Sequence, residues 1–551
     1  VIAVPPNAES AKEYGAFYTR QDVAQFLVRW AVRSECDLVL DPSSGGGVFL
    51  HAAVERLRSL GADPARAVFG IELDPTAHAA SAAVLAQIGL PAANLLRADF
   101  FSVSADWLGR VDAVVGNPPF IRFHQFSGPM RARAAAVMER QGVRVSELAS
   151  SWTPFVVGGV ALLREGGRLA MVVPMELCHA AYATPLLEFL ERSFGTVHFL
   201  SFADRLFPQL SQETLLLLGE NKGASGAEFR WRHFKASSEL ATLGPSLRIR
   251  GSRQLEAQAI ATGQQRLVHQ FLPARARGLY AELREHAAVQ PLGAVAEVGI
   301  GYVTGANDFF HLSRAEARQR AIPAAYLRPA VCRGRAFTGL RFSRADWRTA
   351  EAERHAAYLL ALPRRAPLPE SVQRYVQHGE ASGVHQAYKC RVRQPWHHVP
   401  HVHCPDGFLT YMSGISPRLV VNDAGAVAPN TLHVVRILPL AEVNASALAV
   451  SWRSSLTELS AELEGHALGG GMLKLEPREA ARVSLALPSG NNWNERIEML
   501  EPLARHAAPH TLRAAVDRDL LREGLGLTEA DCRCLRDAAA LLRSRRLGRK
   551  A

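Results

Sequence analysis

The 551-residue chain has no run of 18 uninterrupted apolar residues, so no membrane-spanning helix is expected. Its first ten residues show no charged stretch leading into an apolar one, so no secretory leader is expected either. Cysteine is scarce: seven residues, an odd number thinly spread, which fits a reducing compartment. Cys532 and Cys534 are one residue apart, the wrong spacing for a Cys-x-x-Cys metal or redox site. His397, His398, His401, His403 and Cys404 crowd together but match no closed four-ligand zinc pattern, so no metal is expected. Internal repeats are absent. On these grounds a cytoplasmic protein is expected. Net charge is lacking in one half only. Residues 1–250 hold 24 Lys+Arg against 24 Asp+Glu, residues 251–551 hold 39 against 28, and residues 301–400 hold 16 against 7. A neutral half followed by a basic half reads as a catalytic domain joined to a polyanion-binding one, although arginine-rich surfaces also come from high-GC codon usage. With 48% hydrophobic residues, large cores are possible, and the length suits two to four domains.

What the chain has is alternation. Apolar residues recur at a helical period over residues 21–32. A short strand at 37–42 ends in Asp41, followed by Ser43-Ser44-Gly45-Gly46-Gly47 and a helix over 48–60. A second strand, 67–73, ends in Glu72 and Leu73, with a helix over 75–89. A third, 94–98, ends at Asp99-Phe100-Phe101. The fourth, 111–116, is rich in β-branched residues and delivers Asn117, Pro118, Pro119 and Phe120 to its carboxyl end. Further strands are expected at 168–173, 197–202 and 214–220, with helices at 155–163 and 185–192. The pattern predicts an α/β fold: a doubly wound, Rossmann-like sheet of about seven strands.

In such a sheet ligands bind at the carboxyl ends of the strands. Three acids, Asp41, Glu72 and Asp99, fall at three successive strand ends, with a glycine loop after the first. Taken singly, Glu72 or Asp99 also reads as a solvated acid at a strand end. The loop departs from the phosphate-binding fingerprint, because an acid beside it disfavours phosphate and suits an ammonium or hydroxyls. S-adenosylmethionine carries no phosphate and offers an α-amino group, a sulfonium and a ribose. Glu72 falls where ribose hydroxyls are received, and Asp99 with Phe100 suits an adenine. In the fourth-strand motif two prolines fix the backbone and remove two amide donors. The Asn117 side-chain oxygen and the Pro118 carbonyl then suit an exocyclic amine on a flat ring that Phe120 can stack on. The plainer alternative is a strand followed by a proline turn. Phe207, in the loop 204–212, is either core packing or a second wall opposite Phe120.

Gly, Ser and Ala at 221–226 mark a boundary. The expected organisation is a catalytic domain over 1–225, a connecting segment over 226–290 with one more strand pattern at 228–234, a third region over 291–490, and a helical segment with a basic tail over 491–551. In the third region aromatics and bases interleave at 299–310 and 388–396, a composition that suits phosphate contact with packing on sugars and bases. A solvated basic surface is the alternative.

With these pieces placed, the chain resembles the gamma-class N6-adenine DNA methyltransferases, the TaqI-like and Eco57I-like modification enzymes. Gly15–Thr19 matches their Gly-x-Phe-Tyr-Thr segment, residues 41–49 the Asp-Pro-x-x-Gly-x-Gly-x-Phe cofactor loop, and Phe207-Pro208-Gln209 the segment that stacks on an extruded base. Residues 301–308, 388–396, Asn422 and Asn430-Thr431 resemble a TaqI-like specificity domain. The resemblance implies S-adenosylmethionine held by Tyr18, Thr19, Asp41, Ser43, Gly45, Gly47, Glu72, Leu73, Asp99, Phe100 and Asn117. It implies catalysis at Asn117, Pro118, Pro119 and Phe120 with Phe207. It also implies contact with double-stranded DNA by Tyr302, Thr304, Asn307, Lys389, Arg391, Arg393, Trp396 and Asn430. A separate cognate endonuclease, a monomeric state and a bacterial or archaeal cytoplasm complete the expectation.

Rival readings are a methyltransferase of protein glutamine or of guanine in RNA, which share Asn-Pro-Pro motifs, and a fused restriction-modification protein. A glutamine enzyme has no need of a long basic, aromatic-rich extension. No nuclease motif is visible, and only 14 residues precede Gly15. A catalytically silent DNA-binding subunit is disfavoured by the intact set of acids, glycines and Asn117.

Overall fold

The computed structural model describes residues 19–103, 107, 109–120, 128–144, 151–179, 183–207, 213–243, 249, 251–468, 470–489 and 492–548. The chain divides into two compact units, Val1–Phe271 and Leu272–Ala551.

The first unit opens with α1 (Gln21–Ala31), whose helical period becomes one buried face of Val23, Phe26, Leu27 and Trp30. Then follow β1 (Val39–Asp41), α2 (Val48–Ser59), β2 (Val68–Glu72), α3 (Pro75–Gln87), β3 (Leu95–Arg97) and β4 (Val111–Gly116). After α4 (Gly128–Arg140) come α5 (Trp152–Leu162), β5 (Leu163–Pro174), α6 (Thr184–Ser193), β6 (Thr196–Phe202), β7 (Thr214–Glu220), β8 (Glu228–Phe234) and β9 (Arg253–Leu255). Local chemistry sets the joints. At α3 the Asp74 carboxylate accepts from the Ala77 N–H at 2.8 Å and Pro75 takes the first helical position, where no amide donor is needed.

The strands form one sheet in the order β3-β2-β1-β4-β5-β7-β6-β8-β9. β1 pairs parallel with both β2 and β4, and β7 lies antiparallel between β5 and β6. The chain order reverses between β1 and β4, so the crevice of the fold opens at their carboxyl ends. β4 is buried along its whole length. Its one acid, Asp112, is tolerated there because it accepts from the Leu38 N–H at 2.9 Å and pairs with Arg164.

The expected doubly wound α/β sheet is present, and two further strands extend it at the β6 edge. β8 runs parallel to β6, with Phe229, Trp231 and Phe234 buried, and β9 pairs antiparallel with β8. The boundary expected at 225 therefore falls inside the first unit. The Gly/Ser-rich stretch links β7 to β8 across β6, and 228–234 and 253–255 are strands of the sheet instead of parts of a connecting segment.

The second unit carries a five-stranded sheet in the order Ala296–Ile300, Leu432–Ile437, Gly407–Thr410, Leu419–Asn422, Arg341–Phe342. A three-stranded sheet of His311–Leu312, Ala356–Leu360 and Leu327–Val331 accompanies it. Aromatic clusters fill both cores: Phe309 stacks on Tyr375 with ring centres 4.5 Å apart, and Phe337 stacks on Phe408 at 5.8 Å. The C-terminal helices are part of this unit. Glu529–Leu547 lies against Ser455–Glu464, with Arg543 paired to Glu458 and Glu462, and Arg546 to Glu462 at 2.8 Å. Arg543 and Arg546 of the basic tail are thus anchored to Glu458 and Glu462, and Arg546 is almost wholly covered. None of the helices among the described residues is long and apolar enough to cross a membrane.

Candidate active site

The carboxyl ends of β1, β2 and β4 bring Asp41, the 43–47 loop, Glu72 and Asn117 together. The Ser43 N–H donates to Asp41 Oδ1 at 3.0 Å, and the Ser43 hydroxyl donates to the Asn117 carbonyl at 3.4 Å. The Gly45 N–H donates to Glu72 Oε2 at 2.7 Å. Asp41 is fully buried, and its Oδ2 has no hydrogen-bond partner. Burial, opposed by the Ser43 N–H and reinforced by the charge of Glu72, lifts its pKa to about 8. β4 makes room for this carboxyl: a Cβ on Gly116 would lie 2.8 Å from Asp41 Oδ1. Burial likewise raises the pKa of Glu72, against the N–H groups of Asp74, Gly45 and Leu73. Leu73 is 40% exposed, an apolar side chain held at the rim. Gly47 has φ +80°, and a Cβ there would meet Ser81 Oγ at 2.6 Å. This lining is acidic, and it suits a cation and hydroxyls in preference to phosphate.

Asp99 and Phe100 are engaged elsewhere in this structure. Asp99 Oδ1 accepts from the Phe101 N–H at 3.0 Å, while Oδ2 accepts from Arg133 of α4 at 2.8 Å and 2.7 Å. Phe100 is buried and stacks on Phe155 of α5, ring centres 5.3 Å apart.

The turn after β4 is held by side-chain hydroxyls. Asn117 Nδ2 donates to Thr19 Oγ1 at 3.1 Å, and the Pro119 carbonyl accepts from Ser151 Oγ at 2.5 Å. Pro118 and Phe120 are buried, and Phe207 is among the largest fully buried side chains. Tyr18, with the rest of residues 15–18, and Pro208 and Gln209 lie outside the described residues.

In the second unit the residues expected to touch DNA form one neighbourhood but divide by role. The Tyr302 N–H donates to the Ala428 carbonyl and the Asn430 N–H to the Tyr302 carbonyl, each at 3.0 Å. A Cβ on Gly305 would lie 2.7 Å from Lys389 Cβ, so the 301–308 loop and the 388–396 segment are packed together. Asn307, Lys389, Arg391 and Asn430 are exposed. Tyr302 and Thr304 are buried: the Tyr302 hydroxyl bonds His311 Nε2 at 2.8 Å, and the Thr304 hydroxyl donates to Asn307 Oδ1 at 2.5 Å. Arg393 donates to the carbonyls of Val303 and Thr304, and Trp396 donates to Glu380 at 2.9 Å. Asn422 closes a loop by bonding the Pro405 and Ala426 carbonyls. These last residues build the surface that the exposed ones display. No group of three or more His, Cys, Asp or Glu gathers as a metal site among the described residues.

A family model described as N-6 DNA Methylase matches residues 6–181, and one described as Type II methyltransferase M.Eco57I, C-terminal domain, matches residues 264–521. The type II methyltransferase M.AccI of Acinetobacter calcoaceticus is 18% identical over 481 residues, covering 86% of this chain and 85% of its own. The type II methyltransferase M.XamI of Xanthomonas campestris pv. amaranthicola is 25% identical over 509 residues, covering 89% and 88%. The chain is thus similar to N6-adenine methyltransferases of restriction-modification systems over most of its length. Its fold also matches a solved structure of the type IIL restriction-modification enzyme MmeI in complex with DNA, with TM-score 0.58 at 12% identity over 98% of this chain and 80% of that one. Against several other solved structures the chain spans less than two thirds of the matched chain.

Two residues bonded to this site escape a reading of the sequence. Arg133 and Ser151 lie 34 and 32 positions from the groups they bind, Asp99 and Pro119, and neither sits in a motif. The one local sign is a serine placed just ahead of the apolar helix α5, a position that normally signals a helix cap.

Proposed function

We propose that the chain transfers a methyl group from S-adenosylmethionine to N6 of an adenine flipped out of double-stranded DNA at a specific sequence. The observation that carries this reading is the juncture at the crevice. The Asn117–Phe120 turn is tied through Ser43 to the loop whose buried acid and glycines suit an amine-bearing, phosphate-free cofactor. The residues fit that cofactor: a fully buried Asp41 whose Oδ2 lacks a partner matches an ammonium, Glu72 at the loop matches ribose hydroxyls, and Leu73 offers an apolar surface to a ring.

S-adenosylmethionine supplies a methyl group on a sulfonium, which departs as a neutral thioether. The chain's own task is to make adenine N6 a nucleophile and to aim it. The N6 lone pair is conjugated with the ring. Acceptors at the Asn117 side chain and the Pro118 carbonyl would draw its two hydrogens, shifting the nitrogen toward tetrahedral geometry. The lone pair then forms the N–CH3 bond as the C–S pair returns to sulfur, and the displaced N6 proton goes to solvent. Alignment supplies much of the acceleration. An adenine inside a duplex is out of reach, so the base must flip, and Phe120 with Phe207 would stack on it, worth about 1–3 kcal/mol per base. Both rings are buried here, so capture of the base requires them to become accessible to it. The proposal includes a separate cognate endonuclease, a monomer acting in the cytoplasm, and recognition by the second unit.

The test uses S-adenosylmethionine with a deuterated methyl group, duplex DNA and mass spectrometry of the released nucleosides. Label on N6 of adenine is expected. Label on another nucleoside, or transfer only to protein or RNA, would overturn the reading. Single-molecule sequencing of DNA from expressing cells then gives the site.

A further inference from the structure

The Asn117–Phe120 turn has an unusual construction problem. Two consecutive prolines remove two of the backbone donors that would ordinarily pin a turn, so its carbonyls and the Asn117 side-chain amide take on more of the work of holding it. Three hydroxyls from three separate segments hold these handles: Thr19 ahead of α1, Ser43 after β1, and Ser151 at the start of α5. Thr19 and Ser43 grip the upstream end, at Asn117. Ser151 alone of the three grips the downstream end, at the Pro119 carbonyl.

Ser151 is fully buried. It stands at the N-cap of α5 yet makes no capping bond to its own helix, where a serine's hydroxyl ordinarily accepts from the first turn. Its proton goes instead to Pro119. That carbonyl is one end of the peptide plane whose other end is the Phe120 N–H. Fixing the carbonyl fixes the plane, and with it the direction in which the Phe120 ring leaves the backbone. α5 is itself a rigid anchor, buried from Trp152 through Val160 and packed through Phe155 on Phe100.

We propose that Ser151 is a positioning residue for the methyl-transfer turn, setting Phe120 through the Pro119 carbonyl without touching substrate or cofactor. This rests on the reading of Asn117–Phe120 as the substrate-binding turn. Removing the hydroxyl leaves the half-buried Pro119 carbonyl without that donor and frees the Pro119–Phe120 plane to reorient. Misplacement on this scale, away from the reacting atoms, lowers turnover and spares cofactor binding.

The test compares full-length wild type, Ser151→Ala and Ser151→Thr, each also prepared with 4-fluorophenylalanine placed site-specifically at position 120. The Ser151→Ala protein is expected to shift or broaden the fluorine resonance. It is expected to lose turnover on the order of 10–100-fold at saturating DNA and S-adenosylmethionine, with the cofactor Kd within about twofold and the melting temperature close to wild type. Ser151→Thr, which keeps the hydroxyl, is expected to restore most of the turnover. An unchanged fluorine resonance with unchanged turnover overturns the proposal, and so does a turnover loss matched by equal losses of cofactor affinity and thermal stability. Should the wild type transfer no methyl to adenine, the functional reading fails separately, and the fluorine resonance still decides the role of Ser151.

Discussion

Asn117 and Asp41 are both hydrogen-bonded to Ser43, yet their substitution is expected to separate two functions. Asn117→Ala removes an acceptor for the substrate amine and leaves the acid-lined loop in place. Methyl transfer should fall by at least about 100-fold, the scale seen when one oriented polar group is deleted from a transition-state site, while calorimetric binding of S-adenosylmethionine is largely retained. Equal loss of both would count against the assignment. Asp41 carries a pH signature. Its pKa in the fold, about 8, stands above the ordinary carboxyl value of 3.8 because burial penalises the charge. The protonated form therefore stabilises the cofactor-free fold below about pH 4, and that contribution is lost as pH rises toward 8. A bound ammonium favours the charged form. Cofactor binding near pH 7 should release a proton, visible as a dependence of the calorimetric heat on buffer ionisation enthalpy. Asp41→Asn should abolish that dependence and flatten the stability profile between pH 4 and 8.

At the scale of elements, much of the first unit was legible because its strands are long enough to show their period. β4, β7 and β8 run over 111–116, 214–220 and 228–234, the spans read from their apolar and β-branched pattern alone. The acids and Asn117 were legible for a related reason: a strand end is a fixed place in a parallel sheet, so a residue's position implies its neighbours. What the pattern hides is pairing across long separations. That Asp99 is held by Arg133, and Phe100 by Phe155, depends on how α4 and α5 return to the sheet. In the second unit most strands span two to five residues, too short to establish a period, and exposed residues are interleaved with buried ones that carry the same chemistry. Two predictions belong here. Gly47 opens α2 at φ +80°, with Ser81 Oγ where a Cβ would go. Gly47→Ala combines a left-handed backbone with a steric clash and should cost about 1–3 kcal/mol of stability, together with weaker cofactor binding. Phe207 is 2% exposed, so Phe207→Ala should destabilise the chain whatever its role. The base-stacking role is tested by Phe207→Tyr and Phe207→Leu at matched stability: loss of base capture in the leucine protein alone supports the stacking wall, and wild-type activity in both returns the ring to the core.

Over the whole molecule the charge is divided, with the surplus of basic residues in the second half and balance in the first. The surplus is not uniformly available to a polyanion. Arg505 is committed to Asp346 and Glu501, Arg543 to Glu458, and Arg546 to the buried Glu462. Arg393 is committed to the carbonyls of Val303 and Thr304. Lys389 and Arg391 instead flank the exposed ring of Tyr388, their charged ends 5.4 Å and 5.7 Å from its centre, in the same neighbourhood as Asn307 and Asn430. Counterion release then distinguishes a charge that meets phosphate from one that holds the scaffold. Each phosphate contact contributes about 0.9 to the slope of log affinity against log salt on duplex DNA. Lys389→Ala and Arg391→Ala should each reduce that slope by roughly this amount, weaken binding to all sequences alike, and leave the melting temperature within about a degree or two. Arg393→Ala should do the reverse: it leaves two carbonyls of the 301–308 loop without their donor, lowers the melting temperature, and weakens binding with little change of slope. Fluorescence anisotropy of a labelled duplex across a salt series, beside a thermal melt of each protein, reads both quantities. A slope unchanged in Lys389→Ala and Arg391→Ala would move the polyanion surface away from this face of the second unit.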